Sequence, residues 1–243
     1  MCTDCGCSVT PLQAPQQHQH QHQHQHQRML QLHTALLAKN DAGAALLRQR
    51  FEQACVHVVN LLSSPGSGKT SLLEALASRC DPAAMAVIVG DLATDHDARR
   101  LQRTGVQAIQ ITTGQACHLE AAMLGAAVDA LPLPELQLLV IENVGNLVCP
   151  TAYDLGESQR IVLLSVTEGE DKPLKYPATF YSADLVVISK SDLAAVVGFN
   201  RSLARQNIAQ VAPDATVLEV SARTGAGMDA LMQQLRLGAL QPR

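Results

Sequence analysis

The stretch with the most specific chemistry in this sequence is SSPGSGKTS, residues 63–71. It matches the phosphate-binding pattern G-x-x-x-x-G-K-[ST] except at the first position, where Ser63 replaces glycine. Glycines in such a loop let backbone N–H groups face phosphate oxygens, and the following helix adds its positive end. We expect Lys69 to reach the β- and γ-phosphates and Thr70 to offer its hydroxyl to Mg²⁺. The predicted phosphate-binding residues are Gly66, Ser67, Gly68, Lys69, Thr70 and Ser71.

Two carboxylates stand at the ends of apolar runs that are typical of buried strands. Asp91 follows MAVIVG, and Glu142 closes LQLLVIE. With Thr70, both are candidates to hold Mg²⁺, and with Lys69 they form the predicted catalytic set. Gly145, three residues beyond Glu142, is a candidate to place its backbone N–H near the γ-phosphate.

Four charged residues that follow Asp91 are interpreted as ordinary surface groups. Asp95 and Asp97 fit helix-cap or surface acids, and Arg99 and Arg100 fit a solvated helix face. Since no Gln or Arg stands at an obvious catalytic position, we expect hydrolysis to be slow without a partner.

Two further loops resemble those that recognise guanine. GTPases commonly use N-K-x-D, in which the aspartate accepts two hydrogen bonds from the guanine edge and the lysine stem packs on the ring. In ISKSD, Lys190 and Asp192 match this pattern, but Ser189 replaces the asparagine that normally ties this loop to the phosphate-binding loop, which would weaken guanine affinity. A second loop resembles S-A-[KL], whose backbone N–H contacts the guanine oxygen. It consists of Ser221, Ala222 and Arg223. GTP is therefore favoured over ATP.

A separate set of soft ligands lies in TTGQACHLE and ENVGNLVCP. Cys117, His118 and Cys149 supply two thiolates and an imidazole, which suit Zn²⁺ or Ni²⁺. We expect Cys117 to start a helix, whose N-terminus would favour the thiolate. Three ligands leave a tetrahedral site incomplete, so a second copy of the protein would supply the rest across a two-fold axis. The alternative is that the cysteines are small buried hydrophobes and His118 a surface residue.

The chain begins MCTDCGC, with thiols at Cys2, Cys5 and Cys7. Removal of Met1 would add the amine of Cys2 to the three thiolates, and such a four-donor set can become square-planar, which suits Ni²⁺. A run of histidines alternating with glutamine follows, and it is either a nickel store or a linker without function. Its members are His18, His20, His22, His24 and His26.

Composition excludes several classes of partner. The 243 residues are 47% hydrophobic but only 2% aromatic, with a net charge of −4. An aromatic surface for stacking nucleic-acid bases is not expected, nor is non-specific binding to DNA or anionic membrane. The sequence has neither a secretory leader nor an apolar run of roughly 18 residues, as a membrane span requires. We expect a cytoplasmic protein, in which thiols stay reduced.

The elements that must position these residues follow a β/α alternation. Residues 1–27 are predicted to be a disordered metal-binding tail, because they carry little apolar mass. Residues 28–54 form a helical segment that we expect to break at Lys39–Gly43 into two short helices. Residues 55–243 predict an α/β GTPase domain of the P-loop class, with a mostly parallel sheet, helices on both faces and the ligand at the carboxyl ends of the strands. The predicted strands are 56–62, 85–90, 107–111, 136–142, 160–166, 184–190 and 215–220.

Five segments together resemble the HypB family of hydrogenase nickel-incorporation GTPases. The resemblance covers residues 1–7 and about 55–230, in MCTDCGC, NLLSSPGSGKTS, TTGQACHLE, IENVGNLVCP and SVTEGEDKPLKYP. It implies a SIMIBI-class P-loop GTPase that forms a nucleotide-dependent homodimer, with dimer contacts at Leu193 and Val197. It also implies tight Ni²⁺ binding at the three N-terminal cysteines, and a weaker Ni²⁺ or Zn²⁺ site near the dimer interface at Cys117, His118 and Cys149.

The function that this resemblance implies is nickel delivery. GTP hydrolysis would time the transfer of Ni²⁺ to the precursor of the [NiFe] hydrogenase large subunit, with a HypA-type metallochaperone as partner. Because Gly145 and Cys149 share one short loop, loss of the γ-phosphate would change the geometry of the metal site. Two alternatives stay open: a urease-type nickel-insertion GTPase, and a nickel storage protein with a vestigial nucleotide site.

Overall fold

The computed structural model describes residues 16–237 of the chain. Cys2, Cys5 and Cys7 lie outside the described residues, so their role as a nickel site stays a prediction. The chain divides into two compact units, Met1–Ala38 and Lys39–Arg243. The second unit holds every strand described below.

Helix α1 is a single helix from Gln16 to Gln53. Over residues 16–27 it replaces the disorder that was predicted for the tail, and the predicted break at Lys39–Gly43 is wrong. Glutamine is a good helix former, and Gly43 is the only glycine or proline in α1, so a helix anchored at its C-terminal end can extend through this sequence. The anchor consists of three buried side chains, Ala44, Leu47 and Phe51. The use of residues 18–26 as a nickel store stays a prediction.

The described part of the chain contains a seven-stranded parallel sheet in the order β3-β2-β4-β1-β5-β6-β7. Every strand predicted from the apolar runs is confirmed, with small shifts at the ends. The strands are β1 His57–Ser63, β2 Met85–Asp91, β3 Gln107–Thr112, β4 Leu138–Glu142, β5 Gln159–Ser165, β6 Leu185–Ser189 and β7 Thr216–Glu219.

Helices cover both faces of this sheet, as the α/β prediction requires. After α1 come α2 Lys69–Ala77, α3 His96–Gln102, α4 Ala121–Asp129, α5 Lys172–Lys175, α6 Pro177–Tyr181, α7 Arg201–Val211 and α8 Met228–Gln234. Short 3₁₀ turns lie at Pro82–Ala84, Leu133–Glu135, Cys149–Ala152, Val166–Glu168 and Ser191–Leu193. None of the helices that the structure describes has the length and apolar character needed to cross a membrane.

Alternating side chains of the buried strands build a core on each face. One face packs α2, α3 and α8 onto the sheet. The other carries two clusters, one with the C-terminal part of α1 and α4, and one with α6 and α7. Because all strands are parallel, the carboxyl ends of β1, β2, β4 and β6 lie on the same side of the sheet. The predicted phosphate, carboxylate and base-recognition residues follow these strands.

Candidate functional site

The phosphate-binding loop connects β1 to α2. Gly66 and Gly68 have φ values of 72° and 97°, which residues other than glycine rarely adopt. Lys69 is buried, and its Nζ donates to the Oγ of Ser63 at 2.9 Å. Burial lowers the pKa of Lys69. Ser63, at the position of the missing glycine, therefore holds the lysine at the base of the loop.

Glu142 lies beside the start of α2. The parallel register pairs it with Leu61 of β1 and Val89 of β2. The hydroxyl of Thr70 donates to Glu142 Oε1 at 3.0 Å, whereas Oε2 is buried without a hydrogen-bond partner among the described residues. Burial raises the pKa of Glu142 to about 7. An orphaned carboxylate oxygen beside a threonine hydroxyl fits Mg²⁺, which prefers oxygen ligands.

Asp91 ends β2 and faces the same cavity as Glu142. Its Oδ1 accepts hydrogen bonds from the backbone N–H groups of Ala93 and Thr94, at 2.9 and 3.0 Å, which fixes the turn after the strand. Further along, Asp95 and Arg99 pair with each other at 2.8 Å on the exposed side of α3, as predicted for surface groups.

Residues at the carboxyl ends of the strands, and in the loops that follow them, enclose a cavity of about 520 Å³. Glycines, cations and carboxylates line it together, a combination that suits the phosphates of a nucleotide and a bound cation. Nine of the predicted site residues contribute to its wall: Gly66, Gly68, Lys69, Thr70, Ser71, Asp91, Glu142, Gly145 and Lys190.

Two further wall residues were missed from the sequence. Asp97 and Arg100 line the cavity, so the interpretation of both as solvated surface groups is wrong. Arg100 pairs with Glu74 at 2.6 Å and with Asp97 at 3.4 Å, and it donates to the Ser71 hydroxyl at 3.2 Å. The available signal was the three-residue spacing of Asp97 and Arg100, which puts them on one face of the helix after β2.

The loop after β6 is tied to the phosphate-binding loop. The buried hydroxyl of Ser189 donates to the carbonyl oxygen of Ser67 at 2.8 Å. The predicted loss of this tie, on replacing asparagine by serine, is therefore wrong, because the two loops lie close enough for a hydroxyl to reach. Lys190 adds a second tie, with Nζ donating to the carbonyl oxygen of Gly66 at 2.7 Å.

The two predicted base-recognition loops contact each other. Asp192 Oδ1 accepts a hydrogen bond from the buried Ser221 hydroxyl at 2.7 Å. The backbone N–H of Ser191 also donates to the carbonyl oxygen of Val220, at 3.0 Å. Asp192 is thus held in place beside the turn that begins with Ser221, Ala222 and Arg223.

The soft-ligand residues cluster at the same end of the sheet. The pKa of the Cys117 thiol is raised, first by its hydrogen bond with Cys149 and then by burial. Cys117 Sγ lies 3.9 Å from His118 Nδ1, whose ring stacks on Tyr153 with 3.8 Å between centroids. On the other side of the ring, His118 Nε2 lies 3.3 Å from Glu120 Oε1.

The predicted helix start at Cys117 is wrong. Helix α4 begins at Ala121, since Glu120 is extended at φ −116° and ψ 153°. The thiolate-stabilising effect expected from the helix N-terminus is not found, and the pKa of Cys117 moves in the opposite direction. Within the described residues no group of three or more His, Cys, Asp or Glu side chains is arranged to hold a metal ion. The assignment of Cys117, His118 and Cys149 as metal ligands therefore stays a prediction.

One loop, which follows β4, contacts both regions. A Cβ added to Gly145 would lie 3.1 Å from Pro65 Cα, so the loop is packed on the phosphate-binding loop. Asn146 forms an isolated β-bridge with Ser63, and its Nδ2 donates to the carbonyl oxygen of Cys117 at 3.4 Å. The same short loop thus joins the nucleotide cavity to the cysteine cluster.

Comparisons with known proteins agree with this geometry. The family model of CobW, HypB and UreG nucleotide-binding domains matches residues 57–219. The hydrogenase maturation factor HypB of Rhizobium leguminosarum bv. viciae is 50% identical, covering 87% of this chain and 71% of that protein. The hydrogenase/urease maturation factor HypB of Helicobacter pylori is 48% identical, covering 77% of this chain and 79% of that protein. A crystal structure of HypB from Helicobacter pylori in complex with nickel superposes with a TM-score of 0.77 at 43% identity, covering 84% of this chain and 100% of that one.

Proposed function

The chain belongs to the HypB family of hydrogenase maturation GTPases, and from that premise we propose that it is a nickel metallochaperone. It binds Ni²⁺, hydrolyses GTP and delivers the metal to the precursor of the [NiFe] hydrogenase large subunit. A HypA-type metallochaperone is its partner. It acts in the cytoplasm, where reduced thiols remain available as ligands.

The carboxyl ends of the strands and the loops that follow them supply the groups that GTP binding needs. Backbone N–H groups of the phosphate-binding loop and the ammonium of Lys69 hold the phosphates. Asp192 accepts hydrogen bonds from the guanine edge, and the stem of Lys190 packs on the ring. The backbone N–H of Gly145 donates to the γ-phosphate.

Magnesium is the cation that this cavity fits. Thr70, Asp91 and Glu142 would hold it, and when bound it neutralises developing charge on the phosphates. The Thr70 hydroxyl donates to Oε1 of Glu142, and the buried Oε2, which has no hydrogen-bond partner among the described residues, is the oxygen proposed to face the cation. Turnover is slow, because Arg100 is engaged by Glu74 and Asp97 instead of being free to face the nucleotide.

Two kinds of site handle the nickel. The cysteines of the N-terminal MCTDCGC motif bind it tightly, with the histidine run as a local store. Cys117, His118 and Cys149 form the second site, which takes Ni²⁺ or Zn²⁺ and is completed by a second copy of the chain. The exposed side chains of Val196 and Val197 support a homodimer through the segment after Asp192. Leu193, the other implied contact, packs partly against the core.

The observation that carries the proposal is the shared loop after β4. Gly145 packs on the phosphate-binding loop, while Asn146 contacts Cys117 and the loop runs on to Cys149. A shift of Gly145 on loss of the γ-phosphate is therefore transmitted to the metal ligands.

Nickel transfer tests this proposal. The full-length protein, loaded with Ni²⁺, is mixed with a HypA-type partner and nickel-free large-subunit precursor. We expect transfer that requires Mg²⁺ and hydrolysable GTP, and the matched Lys69→Ala protein should lose it. Transfer at the same rate with GDP, or no Mg²⁺-dependent GTP turnover, would instead support a storage protein with a vestigial nucleotide site.

A second candidate function is nickel insertion into urease. It is favoured by the Helicobacter pylori relative, which is named as a hydrogenase/urease maturation factor and is 48% identical. Replacing the hydrogenase precursor by nickel-free urease in the same assay distinguishes the two targets.

A further inference from the structure

We propose that Asn40, on helix α1, is a positioning residue for the Cys117, His118 and Cys149 metal site. This inference rests on the proposed nickel function and deepens it. Asn40 lies far from the cluster in sequence, and its side chain touches the two segments that carry His118 and its stacking partner Tyr153.

The Asn40 amide makes one hydrogen bond to each of these segments. Its Oδ1 accepts from the backbone N–H of Ala121 at 2.9 Å, and its Nδ2 donates to the carbonyl oxygen of Asp154 at 2.8 Å. Asn40 is 7% exposed; its bond to Ala121 is buried, and its bond to Asp154 is partly buried. One buried amide thus fixes the separation between the start of α4 and the chain just after Tyr153.

The bond to Ala121 supplies a cap that α4 lacks. The first N–H groups of a helix have no partner within it. The N-cap residue of α4, Glu120, makes no side-chain capping bond and lies beside His118 instead. Asn40 therefore caps α4 from another helix, and it fixes the first turn three residues after His118.

Close backbone packing holds α1 against the segment that follows Tyr153. Gly156 has φ +79°, and a Cβ there would come within 2.8 Å of both the Ala44 carbonyl oxygen and the Arg48 backbone nitrogen. Arg48 Nη2 also donates hydrogen bonds to Oδ1 and Oδ2 of Asp154, at 2.7 and 2.9 Å. The segment that follows Tyr153 is therefore held directly by α1 at Asp154 and Gly156.

The consequence concerns the geometry of His118. Its ring is held between Tyr153, at a centroid distance of 3.8 Å, and Glu120. Both of these neighbours are one residue from an atom that Asn40 binds. Groups that orient a metal-binding histidine typically change metal affinity 10–100-fold when removed. Losing the Asn40 amide would remove one hydrogen bond from each of the two segments that carry these supports.

The test uses the full-length protein in which only the internal site can bind nickel. In this background Cys2, Cys5 and Cys7 are replaced by Ala, and His18, His20, His22, His24 and His26 by Gln. Asn40→Ala is compared with Asn207→Ala, a matched control that removes a buried asparagine of α7, bonded at 2.8 Å to the Glu170 carbonyl oxygen. Readouts are Ni²⁺ affinity, the thiolate-to-Ni²⁺ absorption band and GTP affinity.

Asn40→Ala should weaken Ni²⁺ binding about tenfold and alter the absorption band, with GTP affinity unchanged. Asn207→Ala should change neither nickel readout. Asn40→Asp keeps the acceptor for Ala121 and should recover part of the affinity.

Unchanged nickel affinity and absorption in Asn40→Ala would overturn the inference while leaving the proposed function standing. Equal losses of nickel and GTP binding would also overturn it, because they indicate a general structural role. No nickel bound by the background protein itself would refute the internal site and this inference, and would leave the N-terminal cysteines as the nickel site of the proposed function.

Discussion

At the scale of single residues, two serines hold the nucleotide cavity together. Ser63 accepts a hydrogen bond from the Lys69 ammonium, and Ser189 donates one to the Ser67 carbonyl oxygen. Both occupy positions at which general GTPase patterns have another residue. The structure gives each a specific partner, so these departures preserve the architecture of the loops.

Removing the Ser189 hydroxyl should therefore weaken nucleotide binding. A buried hydrogen bond contributes about 1 kcal/mol net, so we expect Ser189→Ala to raise the Kd for GTP about fivefold. Ser78→Ala is a suitable control, since it removes an exposed serine hydroxyl at the C-terminal end of α2, where its partners are Ala75 and Arg79. Equal Kd values for Ser189→Ala and the unmodified protein would show that the tie has no part in binding.

The choice of base depends on Asp192. Its carboxylate accepts hydrogen bonds, as the guanine edge requires, whereas an amide offers one acceptor and one donor. Asp192→Asn should lower affinity for GTP and raise it for XTP, whose ring has an oxygen in place of the guanine amino group. Competition binding with GTP, XTP and ATP measures this. An unaltered preference would remove Asp192 from base recognition.

Glu142 gives the free protein a pH dependence. Burial raises its pKa from 4.5 to about 7 in the folded state. A folded-state pKa above the unfolded value means that the contribution of Glu142 is fully favourable below about pH 4.5, and is lost as pH rises through about 7. Without Mg²⁺ and nucleotide, the unfolding free energy should fall over this interval by roughly 3 kcal/mol relative to Glu142→Gln.

Denaturant unfolding in chelator between pH 4.5 and 8 measures that difference. If the two proteins lose stability in parallel, Glu142 does not titrate in this range. Adding Mg²⁺ and GTP should reduce the pH dependence, because a bound cation favours the ionised carboxylate.

At the scale of elements, the C-terminal part of α1 belongs with the GTPase domain. It packs into the core through Leu47 and Phe51, and its backbone touches Gly156. The contact leaves no room for a side chain at that glycine. The loop that carries Tyr153 is therefore shaped by a helix that precedes the first strand.

This close contact can be tested with two glycines of similar backbone conformation. Gly156→Ala combines strain at φ +79° with a clash at 2.8 Å, whereas Gly198→Ala, at φ +67°, has open space around it. Strain alone costs about 1–2 kcal/mol, so Gly156→Ala should lower the unfolding free energy by clearly more than Gly198→Ala. If denaturant unfolding shows equal losses of unfolding free energy in the two variants, then α1 moves away to accommodate the added methyl group at Gly156.

The sheet and the phosphate-binding loop could be predicted because their signals are local. Each strand is an apolar run, and Gly68, Lys69 and Thr70 form a contiguous motif. The contacts of Asn40 span 81 and 114 residues, and no local pattern reveals them. The role of Arg100 depends on which face of α3 turns toward the cavity. Continuity of α1 through Gly43 was missed, because packing outweighs the low helix propensity of one glycine.

At the scale of the whole molecule, one loop lies between the nucleotide cavity and the proposed metal site. Gly145 lies against Pro65 at the nucleotide cavity, and Asn146 contacts Cys117 at the proposed metal site. If the loop transmits the nucleotide state, then the two sites have a coupling free energy, and each ligand changes the affinity of the other by the same factor.

The most direct test measures Ni²⁺ affinity at the internal site in the two nucleotide states. The full-length protein, with the N-terminal cysteines replaced by Ala and the histidine run by Gln, is titrated with Ni²⁺ in the presence of GDP or a non-hydrolysable GTP analogue, each with Mg²⁺. If the loop after β4 couples the two sites, we expect Kd values that differ by about 5–150-fold, the usual range of such coupling. Identical Kd values in the two states would contradict this coupling.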